Sequence, residues 1–450
     1  MRRERMSKEK TKVTGYLPDE RPSVGKMLLF AFQQILVMFP ATVTVAILTG
    51  FHISTTIFAS GLATICFLLI TKGAIPLYYG SSFSYIAAIC GITSSTMVNG
   101  IASDAAISQA QFGIIMSGLV SIAAGLIINK SGQDKIEKIL PPTITGSIAI
   151  IIGLSLAGTA MTSSAGYVAE TGSVNPKFWF VAIITLLATI IFSVYLQKGV
   201  MGQLPILLGM IVGYVVSIPL GLVNFGAILS DGIFTTPHFT LPTPNWQSVL
   251  AIMPIAIATI PESTAHLYQL DLYVNDLAEK KGSKKKYNIG DKLGLNLIGD
   301  GIGDIVSAMF GGPAGTNYGE NISTMAITRN FSVWVLRTAA LLTIVISFFA
   351  PLTNIVSSIP APVINGACIY LFGVIGVQGV AIMISKKVDL FDARNLAVIA
   401  IILIIGIGGS FGFPDGNIII TEDCSAPAIA TASIVGILLN LVLNIGKKQK

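Results

Sequence analysis

Charged residues are scarce in this chain. Only 11% of its 450 residues are Asp, Glu, Lys or Arg, whereas an ordinary soluble domain carries about 25%. A globule with so few charges could not cover its own surface, so the composition excludes a soluble enzyme, a nucleic-acid-binding protein and a disordered chain. Because 53% of the residues are hydrophobic, the composition predicts an all-α polytopic membrane protein.

Cysteine and histidine are also few, which limits the chemistry available. The four cysteines form no CxxC pair, so neither a disulfide framework nor a metal cluster is predicted. Of the three histidines, His52 and His238 fall in predicted outer loops and are assigned no role. The sequence has no HExxH motif and no Ser/His/Asp arrangement, so we expect no enzyme activity, no metal and no cofactor. The basic N-terminus lacks a cleavable signal and is predicted to be a cytoplasmic tail.

Long apolar runs dominate the rest of the chain. A membrane-spanning helix needs about 20 mostly apolar residues. Three less regular stretches, 74–98, 292–311 and 313–331, bring the predicted count to 14 transmembrane segments. The eleven clear candidates are 27–49, 54–71, 105–128, 141–161, 177–196, 200–222, 247–268, 333–355, 360–384, 391–411 and 427–446.

The distribution of positive charge supports this count. With the N-terminus inside and alternating spans, 27 of the 28 Lys and Arg residues fall on the inner side, and only Lys177 falls outside. The predicted outer loops 223–246 and 412–426 contain no Lys or Arg. This pattern follows the positive-inside rule, and it explains the net charge of +6 without a nucleic-acid partner. Both termini are therefore predicted to be cytoplasmic.

The third and tenth segments are interrupted in the same way. Each has a proline (Pro76 or Pro313), then a Tyr-Gly pair, then polar residues and a short apolar run. They lie seven segments apart and run in opposite directions, which indicates a 7+7 inverted repeat. Because proline breaks helices, we expect a short extended stretch in each segment, followed by a half-helix that begins near the bilayer centre. Ser81, Ser82 or Asn321 could cap the free N–H groups. Paired interruptions of this kind indicate a transporter's midplane site.

Several ionisable residues lie inside predicted spans, where each is a candidate functional group. Glu262 and His266 are four residues apart on one helix face, and Glu320 begins the tenth half-helix. Such groups can accept hydrogen bonds from a planar ring with N–H groups and can carry a proton. Alternatively, a partner or backbone N–H groups could simply satisfy them. For Asp300 and Asp304 we favour a structural role, in which they bond the broken backbone of a neighbouring segment.

Three further polar or aromatic residues lie inside the first and third segments. Phe83 is placed to stack on a flat ligand or to pack against the protein. Gln33 and Gln34 need partners, and helix-to-helix hydrogen bonds are as plausible for them as ligand contacts.

The motif YGENISTMAITR resembles the signature of the nucleobase–ascorbate transporters, also called nucleobase:cation symporter-2. That signature is an acidic residue or Gln, Asn, any residue, Gly, four residues, Thr and a basic residue. Here Ser323 replaces the glycine. The Glu-Asn version, with PESTAH, GSSFSYI and FQQILVMFPATV, resembles the uracil permease branch of the family.

The resemblance implies a core domain formed by segments 1–4 and 8–11 and a gate domain formed by segments 5–7 and 12–14. The implied ranges are 1–26 for the tail, 27–128 and 247–355 for the core, and 141–222 and 360–446 for the gate. It implies proton-coupled uptake of uracil or a related pyrimidine across the cell membrane by alternating access, and a homodimer formed through the gate domain. The implied substrate-binding residues are Glu262, Glu320, Gly319, Phe83, Tyr318 and Asn321, and the implied proton-coupling residues are His266 and Glu262.

Other functions are weighed against this one. A purine (xanthine or urate) symporter of the same family would usually carry Gln rather than Glu at position 320. An anion transporter of the same fold would not need two carboxylates at its site, because they would repel its ligand. A channel is disfavoured because the interrupted segments suggest a closed binding site rather than a pore ring.

Overall fold

The computed structural model describes residues 15–98, 100–132, 141–168, 171–196, 204–223, 225, 232–413, 416–421 and 424–445. The predicted tail at 1–14, the inner-side Lys135, Lys138 and Lys198, parts of the predicted outer loops 223–246 and 412–426, and the C-terminal lysines lie outside these residues. The helices described are α1 Val24–Thr49, α2 Ile53–Ile70, α3 Ile86–Thr93, α4 Asp104–Ser131, α5 Pro142–Ser155, α6 Ala157–Ala165, α7 Pro176–Tyr195, α8 Pro205–Ser217, α9 Trp246–Ile252, α10 Ile255–Lys280, α11 Leu293–Met309, α12 Gly319–Thr328, α13 Val333–Ile346, α14 Ala350–Ser357, α15 Ala361–Ser385, α16 Ala393–Gly412 and α17 Ala428–Leu443. The strands are β1 Tyr79–Ser81, β2 Gly315–Asn317, β3 Asn417–Thr421 and β4 Cys424–Pro427.

Much of this helical chain is suited to a membrane. Within the described residues, eight helices are long and apolar enough to cross a bilayer, and four shorter apolar helices accompany them. Large hydrophobic side chains are exposed along many of these helices, as expected for surfaces that face lipid. The prediction of a polytopic, mainly helical membrane protein is confirmed at this level.

Some helix ends differ from the predicted spans because polar contacts interrupt the apolar runs. The predicted span 333–355 forms two helices, α13 and α14. Between them, the Phe348 carbonyl accepts a hydrogen bond from the Thr235 amide at 3.0 Å. The run 247–268 breaks before Pro254 and then continues to Lys280. Proline removes a helical N–H, which accounts for the second break.

The helices pack in two groups. In the first, α4 packs on α9 and α11, while α2 and α1 pack on α13. In the second, α5 packs on α15 and α16, α7 packs on α8 and α15, and α16 packs on α17. Helix α10 contacts members of both groups, since it touches α4, α11 and α12 as well as α5.

Close helix crossings in both groups depend on glycine. A Cβ atom added to Gly118 of α4 would lie 2.5 Å from the Gly301 carbonyl oxygen of α11. One added to Gly146 of α5 would lie 2.8 Å from the Gly379 carbonyl oxygen of α15. Because glycine has no side chain, the two backbones approach closely at these crossings. In a lipid bilayer there is no hydrophobic driving force between helices, so close van der Waals packing of this kind stabilises their association.

The N-terminal segment lies against the loop that follows α10. Lys281 contacts Glu20 at 2.6 Å and Lys285 contacts Asp19 at 2.8 Å. The Tyr16 amide donates to the Arg329 carbonyl at 2.8 Å. The described part of the tail, the α10–α11 loop and the end of α12 therefore meet at one end of the molecule.

Candidate substrate site

A two-stranded ribbon joins the two interrupted segments. β1 pairs antiparallel with β2, with Gly80 opposite Thr316, and both strands are buried. The pairing extends at both ends, because the Tyr318 amide donates to the Tyr78 carbonyl at 3.0 Å and the Ser82 amide to the Ala314 carbonyl at 2.9 Å. The ribbon satisfies backbone groups that would otherwise be unpaired in the interior. The predicted extended stretches in segments 3 and 10 are therefore present, and each is followed by a short helix.

Asp304 of α11 forms hydrogen bonds with both strands of this ribbon. Its Oδ1 atom accepts hydrogen bonds from the Tyr79 hydroxyl of β1 at 2.5 Å and from the Gly315 amide of β2 at 2.8 Å. Ser60 of α2 also donates to the Tyr79 carbonyl at 2.8 Å. The geometry matches the structural role predicted for this residue, which was bonding to the broken backbone of a neighbouring segment.

Asp300, one turn earlier on α11, holds the end of the ribbon. It accepts hydrogen bonds from the side-chain Nδ2 of Asn317 at 2.6 Å and from the Ser263 hydroxyl of α10 at 2.7 Å. Asn296 donates to it as well, at 3.3 Å. Because Ser263 is adjacent to Glu262, this network ties the helix that carries Glu262 to the strand that leads into Glu320.

The start of α12 has no side-chain cap among the described residues. Its N-cap residue is Tyr318, which makes no capping hydrogen bond. The prediction that Asn321 could cap this helix is wrong, because its Oδ1 atom, which would have to accept the N–H groups, has no partner among the described residues. The side-chain Nδ2 of Asn321 donates to the Gln34 side chain at 2.7 Å and to the Gln34 backbone carbonyl at 3.0 Å. Ser82 does cap its segment, accepting from the Ser84 amide at 3.3 Å. The Glu320 N–H is bonded to its own carboxylate, whereas the N-cap residue leaves the Gly319 N–H uncapped and able to bind a ligand.

A cavity of about 660 Å³ lies against the start of α12, between the two helix groups. Ligand cavities typically measure about 300–1,000 Å³. One wall comes from the interrupted segments and α10, and the other from α5, α7, α8 and α15. The predicted site residues among its lining are Phe83, Glu262, His266, Tyr318, Gly319 and Glu320, whereas Asn321 is fully buried beneath it. We call this the site cavity.

The three ionisable residues converge on this cavity. Glu262 and Glu320 come from different helices, and both residues line this cavity. The Ser84 hydroxyl donates to Glu262 at 3.4 Å, which is a long hydrogen bond. Glu320 is exposed to the cavity, while Glu262 and His266 are half-buried. Two acceptor groups thus face one compartment deep in the protein.

His266 lies directly against the start of α12. Its ring is hydrogen-bonded to the backbone of Asn317, and its buried Nδ1 atom has no partner among the described residues. A Cβ atom on Gly319 would lie 2.8 Å from His266 Nε2, so only glycine leaves room for the ring at this position. His266 is therefore in contact with the same turn that presents Glu320.

Tyr318 reaches the cavity mainly through its backbone. Its hydroxyl donates to the Ser81 carbonyl at 2.9 Å and lies 2.9 Å from the Thr42 hydroxyl, and its ring packs on Gly80. The side chain is 3% exposed, so it braces the ribbon. Sequence reasoning did not find Thr316, which lines the cavity and whose buried hydroxyl has no protein partner among the described residues. Only its place just before the Tyr-Gly pair could have indicated it.

A second cavity, of about 520 Å³, lies further along the same groove. It begins one helical turn beyond the site cavity: Phe83 and Ser84 line the site cavity, while Ala87 and Ala88 line the second. On the opposite wall Ile152 lines the site cavity and Ser155 the second. On both walls, residues about one helical turn apart line the two cavities, so we call the turn between them the one-turn barrier.

Two histidines that were assigned no role meet at the end of the molecule opposite Lys281. His238 Nε2 lies 3.0 Å from both carboxylate oxygens of Asp104, and His52 Nε2 lies 3.9 Å from Oδ1. Burial, and next the neighbouring His238, lower the pKa of His52, so this imidazole is neutral at pH 7. The residues are more than 50 positions apart in the chain, so sequence spacing gave no sign of this cluster.

Comparison with known proteins places these features in context. Residues 25–414 match the family model described as the Permease family. The chain is 37% identical over 431 residues to the uracil permease of Bacillus caldolyticus, covering 94% of this chain and 93% of that protein. It is 34% identical to the uracil permease of Bacillus subtilis, with 95% of both chains covered. It is 33% identical to the uracil permease of Escherichia coli K12, with 95% and 93% covered.

Solved structures share the fold at low sequence identity. The transmembrane domain of a cyanobacterial bicarbonate transporter, BicA, is 13% identical with a TM-score of 0.57, and covers 96% of this chain and all of that domain. The murine anion transporter Slc26a9 in its inward-facing state is 10% identical with a TM-score of 0.65, covering 96% of this chain and 70% of that one. At such identities the likeness concerns the fold alone.

Proposed function

This chain belongs to the permease family of nucleobase–ascorbate transporters, and from that premise we propose that it takes up uracil or a related pyrimidine with protons. A nucleobase permease is not an enzyme, in agreement with the expectation from sequence. The observation that carries the specific proposal is the pair Glu262 and Glu320 facing the uncapped start of α12 across one cavity.

The chemistry of uracil suits this arrangement. Its planar ring alternates N–H donors with carbonyl acceptors along one edge. The carboxylates of Glu262 and Glu320 accept from ring N–H groups, and the Gly319 N–H at the start of α12 donates to a ring carbonyl. Phe83 lines the same cavity and supplies an aromatic face for stacking. Asn321 acts as a positioning residue, since its bonds to Gln34 fix the first turn of α12.

We assign proton coupling to Glu262 and His266. The two residues share one face of α10, and a proton on either changes the charge that faces the site cavity. Two carboxylates facing one compartment repel each other, so protonation of Glu262 relieves that repulsion. The protonated group can donate to a ring carbonyl of the substrate while its other oxygen still accepts from a ring N–H. This provides a physical link between proton binding and substrate binding.

The substrate proposal is tested by calorimetry on purified protein. Glu320→Ala should abolish uracil binding while the protein remains folded, and Glu320→Gln should also lose most of it, because charge-assisted hydrogen bonds contribute about twice what neutral ones do. Asp276→Asn, at an exposed ion pair on α10 outside the cavity, is the matched control and should bind as the unchanged protein does. If Glu320→Ala bound uracil with an affinity within about twofold of that of the unchanged protein, the assignment of Glu320 to substrate binding would be contradicted.

The coupling proposal is tested by uptake across pH 5 to 8. We expect Glu262→Ala to lose both binding and accumulation, whereas His266→Ala keeps measurable binding but loses pH-driven accumulation. His266→Gln can still donate a hydrogen bond but cannot carry a proton at these pH values. Full retention of the response to a pH gradient in His266→Gln would show that His266 only orients its neighbours.

We propose 14 segments in a 7+7 inverted repeat. The eight long helices and four shorter ones, together with Leu293–Met309 and the segment of β2 and α12, make fourteen. The antiparallel pairing of β1 with β2 supports the inverted relation of segments 3 and 10. Labelling tests the topology: in a background without other reactive cysteines, Leu241→Cys should react with an impermeant reagent from outside and Ser283→Cys should not. The reverse pattern would contradict it.

We propose that the two helix groups are the core and gate domains. The core comprises 27–128 and 247–355, and the gate comprises 141–222 and 360–446. The one-turn barrier between the site cavity and the second cavity supports alternating access, because a small movement of one group against the other would open one cavity and close the other. Cross-linking Ala87 of the core to Ser155 of the gate through paired cysteines should stop uptake while leaving uracil binding measurable.

The cellular setting remains a proposal as well. We propose a cell-membrane location with cytoplasmic termini, supported by the contacts of Asp19 and Glu20 with the lysine-rich loop after α10. We also propose a homodimer formed through the gate domain, where Leu396 and Ile404 of α16 expose apolar side chains. Cross-linking in native membranes tests the dimer.

Two other functions, a purine symporter and an anion transporter, agree less well with the residues of the site cavity. A purine symporter of this family would usually carry Gln where this chain has Glu320. The bicarbonate and anion transporters share the fold, but Glu262 and Glu320 in this cavity would repel an anionic ligand.

A further inference from the structure

The cluster of His52, Asp104 and His238 has the donor set of a metal site. Each residue offers one ligand atom, and the three atoms lie within 4.8 Å of one another. Ligand atoms around a tetrahedral zinc ion lie about 3.3 Å apart, given bonds of about 2.0–2.2 Å. Small side-chain rotations would bring the three atoms to that separation.

One of the ligand atoms is buried and has no hydrogen-bond partner among the described residues. This atom is His52 Nε2, which lies 3.9 Å from Asp104 Oδ1. The His52 and His238 rings lie 4.4 Å apart, so both imidazoles approach one carboxylate from the same side. An ordinary His–Asp hydrogen bond accounts for His238 but leaves His52 unsatisfied, whereas a bound cation satisfies all three.

The three ligands come from elements that are fixed in place. His52 is the N-cap residue of α2 and Asp104 is the first residue of α4. The loop that carries His238 is fastened on both sides: the Thr55 hydroxyl donates to the His238 carbonyl at 2.7 Å, and the Thr240 hydroxyl donates to Gln111 at 2.9 Å. Supporting contacts of this kind hold ligands in position for a metal.

The environment allows an ion to enter and to keep a water ligand. The side chains of Asp104 and His238 are 61% and 50% exposed, whereas that of His52 is 22% exposed. Two imidazoles and one carboxylate suit zinc or a similar divalent transition ion better than Mg²⁺ or Ca²⁺, which prefer oxygen ligands.

We propose that His52, Asp104 and His238 form a binding site for one divalent transition metal ion of the zinc class. The ion would bind both imidazoles in their neutral form through Nε2, with the ring proton of each on Nδ1, and would join the starts of α2 and α4 to the loop before α9. It thereby clamps one end of the core helices, at the face opposite the lysine-rich loop. The site is separate from the site cavity, so the proposal does not rest on the transported substrate.

The test uses tag-free, full-length protein in detergent, titrated with Zn²⁺ by calorimetry and with Co²⁺ by visible absorbance. We expect one ion per chain, a cobalt spectrum of low coordination number, and no binding of Mg²⁺ or Ca²⁺. His238→Ala and Asp104→Asn should each weaken Zn²⁺ binding by about tenfold or more, because each removes a ligand. Both side chains are at least half exposed, so both variants should fold.

Two controls make the result decisive. Asp276→Asn removes an exposed carboxylate at the other end of the core and should bind Zn²⁺ as the unchanged protein does. Added Zn²⁺ should raise the thermal midpoint of the unchanged protein and of Asp276→Asn, but not that of His238→Ala. Absence of stoichiometric Zn²⁺ binding, or equal affinity in His238→Ala and in the unchanged protein, would overturn the proposal.

Discussion

Removal of the Asp304 carboxylate should disrupt the ribbon that forms the site. In Asp304→Ala, the Tyr79 hydroxyl and the Gly315 amide lose the acceptor that they reach at 2.5 and 2.8 Å. Asp304 is only 2% exposed, so water cannot replace the acceptor without opening the structure. An orphaned buried donor costs about 1–3 kcal/mol, so the free energy of unfolding should fall by roughly 2–6 kcal/mol.

A double-mutant cycle separates this effect from a general loss of packing. Tyr79→Phe removes only the hydroxyl, so in the Asp304→Ala background it removes an orphaned donor. The double variant should therefore be more stable than the sum of the single losses predicts, by about 1–3 kcal/mol. Because the ribbon leads into the first turn of α12, uracil affinity should fall with stability.

Thermal and denaturant unfolding of purified protein, followed by tryptophan fluorescence, measures these differences. The matched control is Asp276→Ala, whose ion pair with Lys280 at 2.6 Å is about half exposed. An exposed pair on one helix face contributes only about 0.3–0.5 kcal/mol. The role given to Asp304 would be refuted if Asp304→Ala and Asp276→Ala had the same free energy of unfolding. It would also be refuted if the losses of unfolding free energy in the double-mutant cycle were strictly additive.

Two further predictions concern the start of α12. Gly319→Ala places a Cβ atom 2.8 Å from His266 Nε2 and should weaken uracil binding by roughly tenfold or more, because overpacking costs about 1–3 kcal/mol. The control is Gly25→Ala, whose added Cβ atom meets nothing within 4 Å. Equal uracil affinities of the two variants in calorimetry would contradict the close contact assigned to Gly319 and His266. Asn321→Ala and Gln34→Ala both remove the side-chain contact of 2.7 Å, and Asn321→Ala also removes the bond to the Gln34 backbone carbonyl, so each should weaken uracil binding. The double variant should bind uracil no worse than Asn321→Ala alone, and additive losses would show independent roles.

Much of the architecture could be predicted because membrane solvation restricts the backbone. Apolar runs, the distribution of lysine and arginine, and the prolines Pro76 and Pro313 indicated spanning helices and two interrupted segments. The extended stretches at Tyr79–Ser81 and Gly315–Asn317 follow from the same requirement, since broken backbone in a membrane must find hydrogen-bond partners. A local signal was sufficient in each of these cases.

Contacts between distant residues were harder to predict. For Asp304, the sequence favoured a structural role but did not show which backbone groups lie near it, so its bonds to both strands could not be predicted. Asn321 could be expected equally well as a cap, and only the position of Gln34, 287 residues away, decides its partner. His52 and His238 were passed over because residues in separate loops carry no shared spacing.

Uptake of labelled uracil into proteoliposomes, with and without an imposed inward proton gradient, tests the central claim most directly. We expect the gradient to drive uracil above its equilibrium concentration, unlabelled uracil to compete, and xanthine, sulfate and bicarbonate to compete poorly. Glu320→Ala should show no uptake under either condition. Uracil entry that is the same with Glu320→Ala, or transport of an anion in place of uracil, would contradict a nucleobase site formed by Glu262, Glu320 and the start of α12.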